Sequence, residues 1–141
     1  MRNTGKKSEE IFDDYWKGFG KEAFVHVFAD SSKISGLNKN RIFNVPKQPS
    51  DRLVTFRGET FYAEVKSTVN KTSFSFKDIQ PNQLGKSKQI LAAGGKYLFF
   101  IHNLNSNTWY RVPASIIHQI LNEGKKSVKW ADIGIYKCTL M

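Results

Sequence analysis

The sequence predicts a single α/β domain spanning residues 1–141, with a mixed central β-sheet flanked by helices. Its 141 residues, 40% of them hydrophobic, suffice for one hydrophobic core. Helical and strand patterns follow one another in the order helix, strands, helix, strand, strand, helix, which is typical of helices packed on a mixed sheet. The chain contains no internal repeat, low-complexity tract or clear linker that would divide it.

The first element is a predicted helix, SEEIFDDYWKGF, in which apolar residues recur at helical spacing. Ser8 is a suitable N-cap, the acids after it suit a helix start, and glycines at 18 and 20 end the helix. The continuous apolar run AFVHVFA predicts a strand at 23–29. A polar segment rich in Ser, Asn and Lys follows at 30–50 and predicts a long loop.

Next comes a predicted hairpin, in which strands at 51–56 and 60–68 flank the three-residue turn RGE with Gly58. The segment FSFKDI leads into a helix at 80–95 that has Pro81 in its first turn. The remaining predicted elements are a buried strand at 96–104, a second strand ending at 113, a short amphipathic helix at 114–124 and an edge segment at 126–140.

The charge of the chain favours a polyanionic partner. Lys and Arg number 22 against 12 Asp and Glu, which gives a net charge of +10. Such an excess attracts nucleic acid through phosphate neutralisation. No run is long enough to span a membrane, the first ten residues lack the apolar core of a secretory signal, and the single cysteine, Cys138, has no internal disulfide partner. We therefore expect a cytoplasmic protein, nucleoid-associated or intracellular if encoded by a phage, with no membrane partner.

Two acids and a lysine stand on the predicted hairpin. Residues two apart on a strand share a face, so Glu64 and Lys66 point the same way while Val65 and its apolar neighbours face the core. The hairpin folds Asp51 back toward Glu64. Two carboxylates together are ligands that Mg²⁺ prefers, and the carbonyl of Val65 would also be available to the ion. Lys66 would orient a water or stabilise charge developing on a phosphate.

The alternative interpretation is a solvated strand face carrying an ordinary Glu–Lys pair, since Glu-x-Lys alone is a common pattern. The preceding Pro49-Ser50-Asp51, the hairpin and the basic chain favour the metal site.

The spacing PSD, twelve residues, then EVK resembles the signature of the PD-(D/E)xK nuclease superfamily. Within it, the chain is most similar to Holliday junction resolvases of the RecU-like and archaeal types. NTGKKSEE resembles their N-terminal motif and places Glu9 at its acid. RGETFYAEVKST is similar to their active strand, with Val65 where alanine is usual. Of the His-Gln pair that opens their next helix, only Gln83 is present, because Asn82 replaces the histidine.

This resemblance implies a restriction-endonuclease-like core and hydrolysis of DNA phosphodiesters. Mg²⁺ would be held by Asp51, Glu64, the carbonyl of Val65 and Glu9, and Mn²⁺ is expected to substitute. Lys66 and Gln83 would complete the catalytic set. The resemblance also implies a homodimer that acts on branched DNA, the four-way junction of recombination and repair, with two sites related by two-fold symmetry.

Basic and hydroxyl side chains near these motifs are candidate DNA contacts, and each also suits a solvated surface or, for the hydroxyls, a strand. They are Arg2, Lys6, Lys7, Lys33, Lys39, Arg41, Lys47, Ser67 and Thr68.

Two other functions stay open. The chain could be another endonuclease of the same superfamily, of the restriction, repair or homing type. It could also be a non-catalytic DNA-binding protein of the same fold, although a passive binder has no need of clustered acids facing phosphates.

Overall fold

The computed structural model describes residues 4–28 and 47–140. Helix α1 spans Thr4–Lys17, α2 Pro81–Ala92 and α3 Ala114–Asn122. The strands are β1 Ala23–Val27, β2 Arg52–Phe56, β3 Glu59–Thr68, β4 Ser73–Ser75, β5 Tyr97–Asn103, β6 Thr108–Pro113, β7 Ser127–Lys129 and β8 Lys137–Cys138.

Six of these strands form one mixed sheet in the order β1-β2-β3-β5-β6-β8, which confirms the predicted α/β class. β3 and β5 run parallel, and the other neighbouring pairs of this sheet are antiparallel. The crossover between β3 and β5 contains α2, as a parallel pair requires a connection long enough to return the chain.

Helices cover both faces of the sheet. On one face, Phe12 and Trp16 of α1 pack against Phe61 and Ala63 of β3 and their neighbours. On the other face, apolar residues of α2 and α3 pack against β5 and β6, with Ile117 fully buried. β3 is therefore buried on both sides in its central part, so its alternate residues enter two separate cores.

The β2–β3 hairpin differs from its predicted turn. The turn has two residues, Arg57 and Gly58, and both have positive φ, at 48° and 85°. Two positive φ values match the right-handed twist of the flanking strands. Glu59, predicted to be in the turn, begins β3 instead.

The start of α1 also differs from the prediction. The helix begins at Thr4, so Ser8 lies inside it and not at its N-cap. Ser8 is fully buried, and its Oγ lies 2.8 Å from Nδ1 of His102 on β5. A tertiary partner satisfies this hydroxyl, which is why a capping residue is accommodated within the helix.

The C-terminal segment predicted as one edge element is divided between two sheets. β7 pairs with β4 in a separate two-stranded sheet, whereas β8 pairs with β6 at the edge of the main sheet. A 3₁₀ segment, Trp130–Tyr136, joins them. Within the described residues, each helix is too short or too polar to cross a membrane.

Candidate active site

The hairpin brings Asp51 and Glu64 side by side. Arg52 pairs with Ala63, so the residue just before β2, Asp51, lies opposite Glu64. The backbone N–H of Asp51 donates to Oε1 of Glu64 at 3.0 Å, and the N–H of Val65 donates to Oδ2 of Asp51 at 3.2 Å. Each carboxylate is thus oriented by a backbone donor of the opposite strand.

Glu64 is an acid in a nearly inaccessible position, since only 2% of the residue is exposed. Burial, followed by the charge and side-chain hydrogen bonding of Asp51, raises the pKa of Glu64 from 4.5 to about 9, whereas the charge of Lys66 and the bond from the backbone N–H of Asp51 oppose the rise. A cation between the two carboxylates would remove their repulsion and favour the charged form of Glu64. An all-oxygen donor set of this kind fits a hard divalent cation.

The carbonyl of Val65 points to the same side as these acids. The carbonyl of Thr68 accepts from the N–H of Leu104, the residue after β5, so alternate residues of β3 bond toward β5. Val65 is out of phase with Thr68, so its C=O and its N–H, which donates to Asp51, are both directed away from β5. A metal role for this carbonyl stays a prediction.

Lys66 lies next to the paired acids. Its Nζ is 3.5 Å from Oε2 of Glu64, and its side chain is 16% exposed, compared with 2% for Glu64. The amine thus extends from the buried Glu64 toward solvent. A positive charge in this position could stabilise a negative charge that develops on a substrate oxygen.

The segment before β2 is anchored by Tyr97, a residue that the sequence did not single out. Its hydroxyl donates to the carbonyl of Pro49 at 2.5 Å. Burial, with the nearby Glu64 and Asp51, raises the pKa of Tyr97 well above its ordinary value, so the phenol keeps its proton and remains a donor. A further bond, from the N–H of Phe28 to the carbonyl of Asp51 at 3.0 Å, holds the same segment to the end of β1.

Arg52 is a second residue that sequence reasoning missed. Its side chain is 7% exposed, and its guanidinium binds Asp13 through two nitrogens, at 2.9 and 3.0 Å. A third nitrogen donates to Oε1 of Glu9 at 2.8 Å. Burial lowers the pKa of Arg52, but the bonds and charges of Asp13 and Glu9 outweigh it and raise the pKa above its ordinary value.

Glu9 therefore lies on the α1 side of the sheet, bound to Arg52. Across residues 4–28 and 47–140, the structure groups no three His, Cys, Asp or Glu side chains as a metal site. Asp51 and Glu64 form a pair, and a metal role for Glu9 stays a prediction.

Gln83 is buried in the first turn of α2, where it has a structural partner. Its Oε1 accepts from the N–H of Gln80, and the backbone N–H of Gln83 donates to the Gln80 side chain, which makes a capping box. Asn82 reaches the carbonyl of Gln48 at 3.4 Å. The start of α2 is thus held beside the segment that leads to Asp51, while a catalytic role for Gln83 stays a prediction.

The candidate DNA contacts are distributed unevenly. Lys6, Lys7 and Lys47 are exposed. Ser67 points to the α1 face, where its hydroxyl lies near Gly5. Thr68 shares the face of Lys66. Arg2, Lys33, Lys39 and Arg41 lie outside the described residues.

The fold resembles that of the Holliday junction resolvase Hjc from Archaeoglobus fulgidus. The two share a TM-score of 0.57 and 13% identity over 93% of each chain. The mixed sheet flanked by helices and this match define a restriction-endonuclease-like α/β domain.

The family model for Recombination protein U, RecU, matches residues 38–140. The chain therefore belongs to the RecU family. Holliday junction resolvases RecU from Limosilactobacillus reuteri strain DSM 20016 and L. reuteri subsp. reuteri strain JCM 1112 are each 33% identical over 82 residues. The alignment covers 55% of this chain and 40% of each relative, so the chain matches less than half the length of these relatives.

Proposed function

We propose that the chain is a divalent-metal-dependent endodeoxyribonuclease that resolves Holliday junctions in DNA recombination and repair. The observation that carries the proposal is the Asp51–Glu64 pair, in which Glu64 is buried, with Lys66 beside it. Membership of the RecU family, and the resolvases among the similar proteins, support junction DNA as the substrate.

In this proposal, Asp51, Glu64 and the carbonyl of Val65 hold the metal ion, with Mg²⁺ as the natural ion and Mn²⁺ as a substitute. The bound ion would supply positive charge to the scissile phosphate and lower the pKa of a water molecule. Backbone donors fix both carboxylates before substrate arrives. Lys66 stabilises the charge that grows on the phosphate during attack.

Glu9 and Gln83 are the outer members of the proposed set. Glu9 would join the metal ligands only by exchanging its 2.8 Å contact with Arg52. Gln83 already uses its carbonyl oxygen in the capping box, so it would act through its amide nitrogen.

We also propose that the active form is a homodimer, because a junction presents two equivalent strands and a two-fold dimer presents two equivalent sites. Light scattering should then give about 32 kDa, twice the 16.1 kDa of one chain. A monomer that still cuts both strands symmetrically would contradict this part of the proposal.

The test of the main proposal is cleavage of labelled four-way junction, linear duplex and single strand, each with Mg²⁺, Mn²⁺ or EDTA. Wild type should cut the junction preferentially and only with a metal ion. Asp51→Asn should abolish cutting while junction binding persists, because the change removes a ligand and a charge that repels phosphate. Asp14→Asn, at an exposed acid of α1, is the matched control and should cut normally.

Equal cutting of junction and duplex would contradict junction resolution and favour a restriction, repair or homing endonuclease. Binding without any cutting would favour the non-catalytic alternative.

A further inference from the structure

A small surface outside the proposed active site is composed almost entirely of hydrogen-bond donors. β4 and β7 pair antiparallel, with Phe74 opposite Val128 and both side chains buried. The alternate residues face outward, because side chains alternate along a strand. These outward residues are Ser73, Ser75, Ser127 and Lys129.

Lysines surround these outward residues. The segments 71–77 and 125–129 contain no acid. Pairing of β4 with β7 brings them together although they are about fifty residues apart in sequence. All five lysines of the two segments are exposed, and within the described part of the chain none forms an ion pair. They are Lys71, Lys77, Lys125, Lys126 and Lys129; we call this surface the lysine patch.

The backbone beneath the lysine patch is firmly held. The N–H of Phe76 donates to the carbonyl of Lys126 at 3.0 Å, and the N–H of Trp130 donates to the carbonyl of Thr72 at 3.2 Å. The indole of Trp130 donates to the carbonyl of Asn70 at 3.1 Å. The two segments are therefore fixed relative to each other before any partner binds, which lowers the entropic cost of binding.

The lysine patch is connected to the proposed active site by short segments of chain on two sides but does not include it. β3 continues from Lys66 to Thr68, and a four-residue connection then leads to β4. At the other end, Lys77 is three residues before Gln80, the N-cap of α2, and the first turn of α2 contacts the segment leading to Asp51 through Asn82. A long polyanion engaged at the active site can extend over this surface.

We propose that the lysine patch binds the phosphate backbone of a DNA arm that is not being cut. Its lysines neutralise phosphates, and its serine hydroxyls donate to phosphate oxygens. Because these groups carry no base-reading pattern, the contact is independent of sequence and orients the arm. The exposed acids at 78, 123 and 132 flank the patch and limit its extent. The inference rests on the proposed function only in taking DNA as the polyanion.

The test compares two double variants with the same reduction in charge. Lys71→Gln with Lys126→Gln removes one lysine from each segment of the patch. Lys17→Gln with Lys21→Gln removes one lysine from the last turn of α1, which covers the other face of the sheet, and one from the 3₁₀ turn that follows α1. Circular dichroism should show both variants folded, since all four side chains are exposed.

Binding is measured in EDTA by fluorescence anisotropy, with duplex and with four-way junction, between about 50 and about 200 mM salt. The patch variant should bind more weakly, and the slope of log affinity against log salt should fall by about 1.8, or about 0.9 for each phosphate that is no longer neutralised. The α1 variant should keep the wild-type slope.

Equal weakening of binding in both variants would overturn the inference, because the loss of charge alone would then account for it. Unchanged binding in both variants would also overturn it, because neither surface would then contribute to binding. Failure of the proposed function looks different. If wild type binds but cuts no junction in Mg²⁺, while only the patch variant shows a reduced salt dependence, the surface stands and the resolvase activity does not.

Discussion

Replacing Glu64 with glutamine should have opposite effects on the stability and the activity of the protein. Glutamine has the shape of a protonated glutamate, and its Oε1 can still accept from the N–H of Asp51, as Glu64 does at 3.0 Å. Its amide group can donate where the protonated acid would. The change therefore keeps the packing of a residue that is 2% exposed and removes only its ability to ionise.

The magnitude follows from the pKa of Glu64. Burial and the charge of Asp51 raise this pKa from 4.5 to about 9, so the folded state binds one more proton than the unfolded state between those values. The free energy of unfolding of wild type should consequently fall as pH rises through this window, by about 1.4 kcal/mol per pH unit. Between pH 5 and pH 8 the decrease would reach about 4 kcal/mol as an upper limit. Glutamine does not titrate, so the variant should not show this decrease.

The assay is urea unfolding of wild type and Glu64→Gln in EDTA at several pH values. The difference between the two proteins reports the effect of the Glu64 charge, because every other residue is shared. Glu64→Gln should become progressively more stable than wild type as pH rises. Added Mn²⁺ should stabilise wild type by about 2.7 kcal/mol at one hundred times its Kd and leave the variant nearly unchanged, since the variant lacks one ligand. Cleavage of junction DNA by the variant should be abolished for the same reason.

Two results would refute this reasoning. A stability difference that does not change with pH would mean that the pKa of Glu64 is not raised in the folded protein. Equal stabilisation of both proteins by Mn²⁺ would mean that Glu64 is not a ligand of the ion.

Three further substitutions and one control test the site and its surroundings. Arg52→Met should lower the free energy of unfolding by about 3 kcal/mol, because it leaves two acids unpaired. Arg57 forms an exposed ion pair with Glu22 and is the control: Arg57→Met should lower the free energy of unfolding by less than about 1 kcal/mol. Tyr97→Phe removes the donor to Pro49, so urea unfolding should show a decrease of about 1–3 kcal/mol and cleavage should slow. Lys66→Ala should lower single-turnover cleavage by about 100-fold or more, with little change in junction affinity.

The paired acids could be anticipated because their arrangement depends on local geometry. Alternation along β3 separates Glu64 and Lys66 from Val65, and this alternation is a property of any extended strand. A short hairpin turn then sets which residue faces Glu64 from the preceding strand. The turn proved to be two residues and not three, which pairs Phe56 with Glu59 and thereby places Asp51 opposite Glu64; a three-residue turn would have placed Asp51 opposite Val65.

The surroundings of those acids depended on contacts between distant segments. Nothing near Arg52 in the sequence indicates that it binds Glu9 and Asp13, which lie on a helix some forty residues earlier. An arginine that follows an aspartate is ordinarily expected to be an exposed cation. Only the packing of α1 on the sheet buries it and supplies its partners.

Burial of Glu64, the bond from Tyr97 to Pro49 and the lysine patch likewise arise only in the folded chain. Backbone periodicity and turn chemistry act over a few residues and are therefore visible in a sequence. Burial, the pKa of a buried acid and the juxtaposition of β4 with β7 depend on which surfaces meet, and that is decided when the whole chain packs around its two cores.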